Sequence, residues 1–138
     1  VPALRALLEK YFAAIAPEVG AQDAGESAAL YVQEPARSWI AFVDAAPAGC
    51  VGLRPLSEHS SEIKHLYVGP AYRGKHVGRA LLEAVHEHAR SAGIEEVYLD
   101  SLPSMSAARR LYQQMGYVDT ERYYKDDVHR VFMRLDLR

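Results

Sequence analysis

The run from Glu62 to Ser101 constrains the fold more than any other part of the chain. EIKHLYV, Glu62 to Val68, is a stretch of strand length and strand composition. It leads through GPAYRGKHVG into a helical stripe of Val77, Leu81, Ala84, Val85, Ala89 and Ala92. Gly93 closes that helix where a left-handed backbone costs least, and Glu96 to Ser101 follows as another strand. Such a unit needs a wider sheet to sit in, and the flanking segments supply one. Trp39 to Val43 and Cys50 to Leu53 read as a hairpin turning through Ala45 to Gly49. Behind Pro2, the spacing of Leu4, Leu7, Leu8, Tyr11, Phe12 and Ile15 predicts an opening helix. Val19 to Ala36 reads as a loop holding a short helix around Glu26 to Tyr31. Ser106 to Met115 is helical, with Gly116 as its stop. Tyr117 to Tyr124 and Val128 to Leu137 alternate as two last strands joined through Lys125 to Asp127. The order predicts an α/β fold with a sheet of mixed direction.

The chain's 138 residues, 49% hydrophobic and 25% charged, suit one domain over 1–138. Its single cysteine, Cys50, cannot form an internal disulfide and reads as a small core residue. With no charged start before an apolar run, the expected compartment is the cytoplasm. Apolar stretches break within about ten residues, short of the roughly 20 that cross a bilayer, so no membrane span is expected. A net charge of -2 and a pI near 6.3 give no general basic field for a nucleic acid. His86 and His88, the closest pair of the six histidines, stand at i, i+2 and face apart on a helix, so no metal site is expected.

A strand that passes through a glycine-containing loop into a helix start points several backbone N–H groups at one spot. The helix dipole adds about half a positive charge there. Arg73, Lys75 and Arg79 bring side-chain charge to the same place, so this loop is a candidate phosphate site. Two motifs compete for it. Gly69 to His76, GPAYRGKH, is one letter from the nucleotide-binding pattern GxxxxGK followed by Ser or Thr, with Asp100 as a stand-in for its second metal-holding strand. Against that reading, His76 cannot supply the hydroxyl that holds magnesium, and the upstream hairpin does not suit a parallel sheet.

The second motif is a family resemblance. Arg73, Gly74, Lys75, His76, Val77 and Gly78 resemble the acetyl-CoA motif of the GNAT acetyltransferases: Gln or Arg, two residues, Gly, one residue, then Gly or Ala. The first and last positions fit, and His76 replaces the middle glycine. A histidine there costs about 1 kcal/mol if the backbone must take positive φ, while its ring can donate to a phosphate oxygen. Met105 to Tyr117, MSAARRLYQQMGY, resembles the family's NxxAxxLYxxxGF, with Ala108, Leu111, Tyr112, Gly116 and Tyr117 in register. Met105 stands in place of the asparagine.

The resemblance implies a mixed, mostly antiparallel sheet with helices on both faces and acetyl-CoA as co-substrate, with no metal. It implies acetyl transfer to a primary amine of a small molecule or peptide. An acyl-CoA-binding sensor or interaction module of the same fold is the alternative, motivated by Met105 and His76. By the resemblance, Tyr112 gives a proton to the departing thiolate and Glu62 is the general base. Main-chain groups of Leu66, Tyr67 and Val68 pair with the pantetheine amides where the strands splay. Arg73 to Arg79 take the diphosphate, with Ser101, Ser104, Ser106 and Arg109 along the rest of the cofactor. Tyr123, Tyr124 and Trp39 border the acceptor. Family domains usually begin with a strand before the first helix, whereas this sequence opens at the helix. Either that strand is absent or Val1 to Ala3 is its remnant, and a bared sheet edge would favour a homodimer. The acidic balance suits a cationic acceptor.

Overall fold

The computed structural model describes residues 2–19, 37–125 and 129–138. The predicted short helix around Glu26 to Tyr31 and most of the last turn, residues 126–128, lie outside these residues. Three α-helices are described, α1 Pro2–Val19, α2 Val77–Ser91 and α3 Ser106–Gln114. The strands are β1 Arg37–Val43, β2 Ala46–Pro55, β3 Ser60–Val68, β4 Glu96–Ser101, β5 Val118–Asp119 and β6 Val131–Asp136. They form one sheet in the order β1-β2-β3-β4-β6-β5. Among the described strands the β3–β4 pair alone is parallel, as a strand–helix–strand crossover through α2 requires, and every other pair is antiparallel.

The sheet separates two cores. Adjacent residues of β2 point to opposite faces. Val51 and Leu53 join Leu81, Leu82 and Val85 of α2 on one face, while Cys50 joins Leu4, Leu7 and Leu8 of α1 on the other. Leu82 and Val85 are fully enclosed, which stabilises the fold by about 1.5–3 kcal/mol for each such side chain. Helices thus cover both faces, as expected.

Four sequence readings are corrected. The first hairpin turns at Asp44 and Ala45, both at positive φ, so Ala46 to Gly49 belong to β2. Pro and Gly marked the wrong residues because the two-residue turn is made without glycine. Pro2 and Ala3 lie in α1 and are no strand remnant, and Val1 lies outside the described residues. Ala92 is exposed beyond the end of α2 and is not part of its apolar stripe. The last hairpin keeps only two residues on its first side and six on its second. Thr120 N–H still donates to the Phe132 carbonyl, but Tyr123 and Tyr124 pack through their rings and not through a ladder.

β3 carries a bulge. Cys50 pairs with Tyr67 and Gly52 with Lys64, so two steps of β2 oppose three of β3, and His65 takes φ 57° to absorb the extra residue. The bulge shifts the alternation by one. Glu62 and Lys64 before it, and His65 and Tyr67 after it, therefore all face the α1 side of the sheet.

Candidate functional site

The β3–β4 ladder ends at Ile63 and Leu99, while β3 runs on to Val68. From Lys64 onward the two strands part, and a cleft of about 640 Å³ opens beside the end of β3. Leu66, Tyr67 and Val68 form one wall, and Ser104 to Ala108 with Leu111 and Gln114 form the other. Tyr72, Arg73, Gly74 and His76 close the head of the cleft together with the start of α2.

The head has the features of an anion cradle. Gly74 takes φ 80°, and a Cβ there would meet nothing within 4 Å, so the position is open and needs the left-handed backbone. His76 caps α2 with φ 62° and ψ 21° and makes no side-chain cap bond. The positive φ expected of the missing middle glycine is thus adopted by histidine. The first helical hydrogen bond runs from Ala80 N–H to the His76 carbonyl, which leaves the N–H groups of Val77, Gly78 and Arg79 outside the helical ladder. Gly78 serves close approach: a Cβ there would lie 3.1 Å from Leu111 Cδ2, so its absence lets α2 and α3 meet. Arg73 Nε donates to the Val68 carbonyl at 3.1 Å, and Arg79 Nη2 donates to Gln114 Oε1 at 3.2 Å across the two helices.

The structure brings most of the expected cofactor residues to this cleft. Leu66, Tyr67, Val68, Arg73, Gly74, His76, Val77, Gly78, Arg79, Ser104 and Ser106 all line it. Four lie elsewhere. Lys75 is exposed on the loop outside the lining, and Ser101 Oγ is buried with no hydrogen-bond partner among the described residues. Arg109 turns back to donate to the Leu102 carbonyl at 2.6 Å and so braces the β4–α3 loop. Tyr112 is buried behind the wall, its ring 5.6 Å from that of Tyr117. Burial raises its hydroxyl far above the ordinary range, and the proximity of Tyr11 and Asp100 adds to this.

Glu62 is 1% exposed, so it is no solvated strand glutamate. Its Oε2 accepts from the Tyr123 hydroxyl at 2.5 Å, and its Oε1 stands 3.2 Å from Arg54 Nε without an aligned hydrogen bond. Burial and the Glu62 carboxylate push the Tyr123 hydroxyl upward, so the phenol keeps its proton and donates. Beside this pair, Asp100 receives Lys64 Nζ at 2.9 Å and Arg130 Nη1 at 3.2 Å. Burial alone would raise the Asp100 carboxyl. Lys64, Arg130 and a hydrogen bond from Tyr124 outweigh that and hold it below the usual carboxylate range. So engaged, Asp100 is a poor stand-in for the metal-holding acid of a nucleotide hydrolase. Trp39 packs at 5.4 Å against His88 of α2, apart from the tyrosines it was expected to join. Burial pushes the Cys50 thiol up to about 12, consistent with a core residue. Among the described residues, no three His, Cys, Asp or Glu could hold a metal, and no helix is long and apolar enough to cross a membrane.

Sequence reasoning missed Tyr11, which lines the cleft from α1 with its ring 5.3 Å from that of His65. Its helical spacing gives it the same signal as the core leucines. Only the docking of α1 onto the bulged end of β3 sets it apart.

A sheet splayed after a parallel pair, with an anion cradle at the head of the opening, defines an α/β fold with a cleft for an extended, phosphate-bearing ligand. The chain belongs to the acetyltransferase (GNAT) family, whose model matches residues 1–117. An uncharacterized N-acetyltransferase of Schizosaccharomyces pombe is 34% identical over 91 residues, 64% of this chain and 56% of that protein. The chain spans about half the length of the curated relatives it matches. In fold it resembles a GNAT acetyltransferase of Staphylococcus aureus Mu50, with TM-score 0.80, 21% identity and coverage of 97% of this chain and 93% of that one. It also resembles a GNAT acetyltransferase of Elizabethkingia anophelis with acetyl-CoA bound, with TM-score 0.70, 18% identity and coverage of 80% and 82%.

Proposed function

We propose that this chain transfers the acetyl group of acetyl-CoA to a primary amine, with the cofactor lying in the cleft beside β3. The early end of the β3–β4 ladder carries this reading, because it leaves the 66–68 stretch of β3 unpaired on its β4 side directly below the anion cradle. Those main-chain groups can pair with the pantetheine amides as a strand would. Arg73, Arg79, His76 and the free N–H groups at the start of α2 can receive the diphosphate.

Acetyl-CoA supplies an activated acetyl group, so that the amine nitrogen gains the acetyl carbon as the carbon–sulfur bond breaks, giving an amide and a thiol. Glu62 takes up the proton that the amine loses, directly or through one water, and Tyr123 and Arg54 fix its two oxygens. In this reading the Tyr112 hydroxyl, protonated and buried behind the α3 wall, meets the sulfur from that side as negative charge develops there. Met105 lines the cleft where the family's asparagine would offer a polar contact, and Ser104 and Ser106 beside it provide hydroxyls in its place.

Thiol release from acetyl-CoA over a panel of amines, run beside isothermal titration of CoA, tests the proposal. The expected result is CoA binding with amine-dependent thiol release. Binding without turnover on any amine would point instead to an acyl-CoA sensor.

A further inference from the structure

Around Glu62, three basic side chains meet two carboxylates among the described residues. Lys64 and Arg130 both engage Asp100, and Lys64 Nζ also approaches Glu62 Oε1 at 3.7 Å. Arg54, directly across the ladder from Glu62, approaches it through Nε at 3.2 Å. Among the described residues Arg54 thus has Glu62 as its one acidic partner, while Asp100 engages the other two cations. Arg54 is the most exposed of the three cations, with 45% of its side chain accessible against 21% for Lys64 and 16% for Arg130. Because only its Nε edge faces Glu62, its Nη1 and Nη2 have no partner among the described residues. The planar edge those two nitrogens present is the shape that binds a carboxylate through two parallel hydrogen bonds.

We propose that the acceptor is an α-amino acid, whose carboxylate docks on the Nη edge of Arg54 and whose amine stands beside Glu62. The proposal rests on the reading of Glu62 as general base. In an α-amino acid the amine is two bonds from the carboxylate carbon. Docking on Arg54 therefore brings the nitrogen within reach of Glu62, directly or through one water. The balance of the reaction is unchanged: the nitrogen gains the acetyl carbon, its proton passes to Glu62, and the thiol leaves, giving an N-acetylamino acid. A polyamine, which the net acidity of the chain would favour, carries no carboxylate to dock on the Nη edge of Arg54.

Thiol release is measured for the twenty protein amino acids, their amides and their decarboxylated amines. The account expects at least one amino acid to be used with kcat/KM tenfold or more above its amide and its decarboxylated amine. It also expects Arg54→Gln to bring that ratio close to one while Arg54→Lys keeps part of it, with CoA titration confirming that both variants are folded. Amides or plain amines used as well as the amino acid, or a ratio untouched in Arg54→Gln, would overturn the proposal. Absence of turnover on every amine by protein that binds CoA would instead count against acetyl transfer itself. Titration of the amino acids into CoA-saturated protein then decides the carboxylate site: binding lost in Arg54→Gln upholds it, and no binding by the natural chain refutes it.

Discussion

Tyr112 keeps its proton through neutral pH because burial, with Tyr11 and Asp100 near by, disfavours the phenolate. In the proposed reaction a hydroxyl held that way matters most when the leaving sulfur becomes negative, so its contribution there belongs to the transition state and not to cofactor binding. Tyr112→Phe should lower kcat by about 100-fold with little change in the affinity for acetyl-CoA. Steady-state kinetics with titration of CoA check this, and an unchanged kcat would remove Tyr112 from the chemistry. At this scale the sequence was most informative where a residue type met a strict backbone demand. Arg73, Gly74 and Gly78 could be named from the resemblance of RGKHVG to the family's acetyl-CoA motif, and the positive φ expected at His76 is present as φ 62°. It was least informative where tertiary contacts assign the role. Nothing local marks Arg109 as a brace for the Leu102 carbonyl, or Tyr123 as the partner of Glu62.

The elements that were legible are those with a clean period and a glycine stop. β3, α2, β4 and α3 fall within two residues of their expected bounds, and Gly93 and Gly116 end the two helices at φ 79° and 100°. The hairpins were harder to read, because Asp44, Ala45 and His65 take positive φ without being glycine and so leave no compositional trace. The bulge at His65 has the larger consequence, since it sets Glu62, Lys64, His65 and Tyr67 on one face of β3. Close approach of α2 and α3 at Gly78 is the other element-scale device, and it also shapes the cleft. Gly78→Val should push Leu111 away and destabilise the fold by about 1–3 kcal/mol, as overpacking commonly does. Thermal unfolding would show this as a lower Tm, and an unaltered Tm would mean that the helices are less tightly joined than the 3.1 Å approach implies.

Across the whole molecule, two buried histidines link stability to pH. Burial lowers His65 to about 3, with Lys64 adding to the effect, and lowers His86 to about 4, with Arg90 adding. Both begin to take protons near 6.5 in the unfolded chain but stay neutral when folded, so acid favours unfolding. Stability should be level above about pH 7 and should fall as pH drops through 6.5, by about 2 kcal/mol per histidine at pH 5. Urea unfolding at pH 7 and pH 5 measures this. His86→Gln, which keeps a partner for the Tyr117 hydroxyl now 2.7 Å from His86 Nε2, should roughly halve the loss. A flat profile would contradict neutral buried histidines. The mixed direction of the sheet was legible from the order of elements and a helix layer on each face from the family resemblance, whereas the aromatic and ionic cover over Glu62 depends on β3, β4 and β6 meeting in space. The placing of acetyl-CoA beside β3 is tested most directly by amide hydrogen exchange with and without CoA. The account predicts slowed exchange at residues 66–68 and 74–79, on the strand edge and at the helix start. Protection confined to other segments, or none there at saturating CoA, would contradict it.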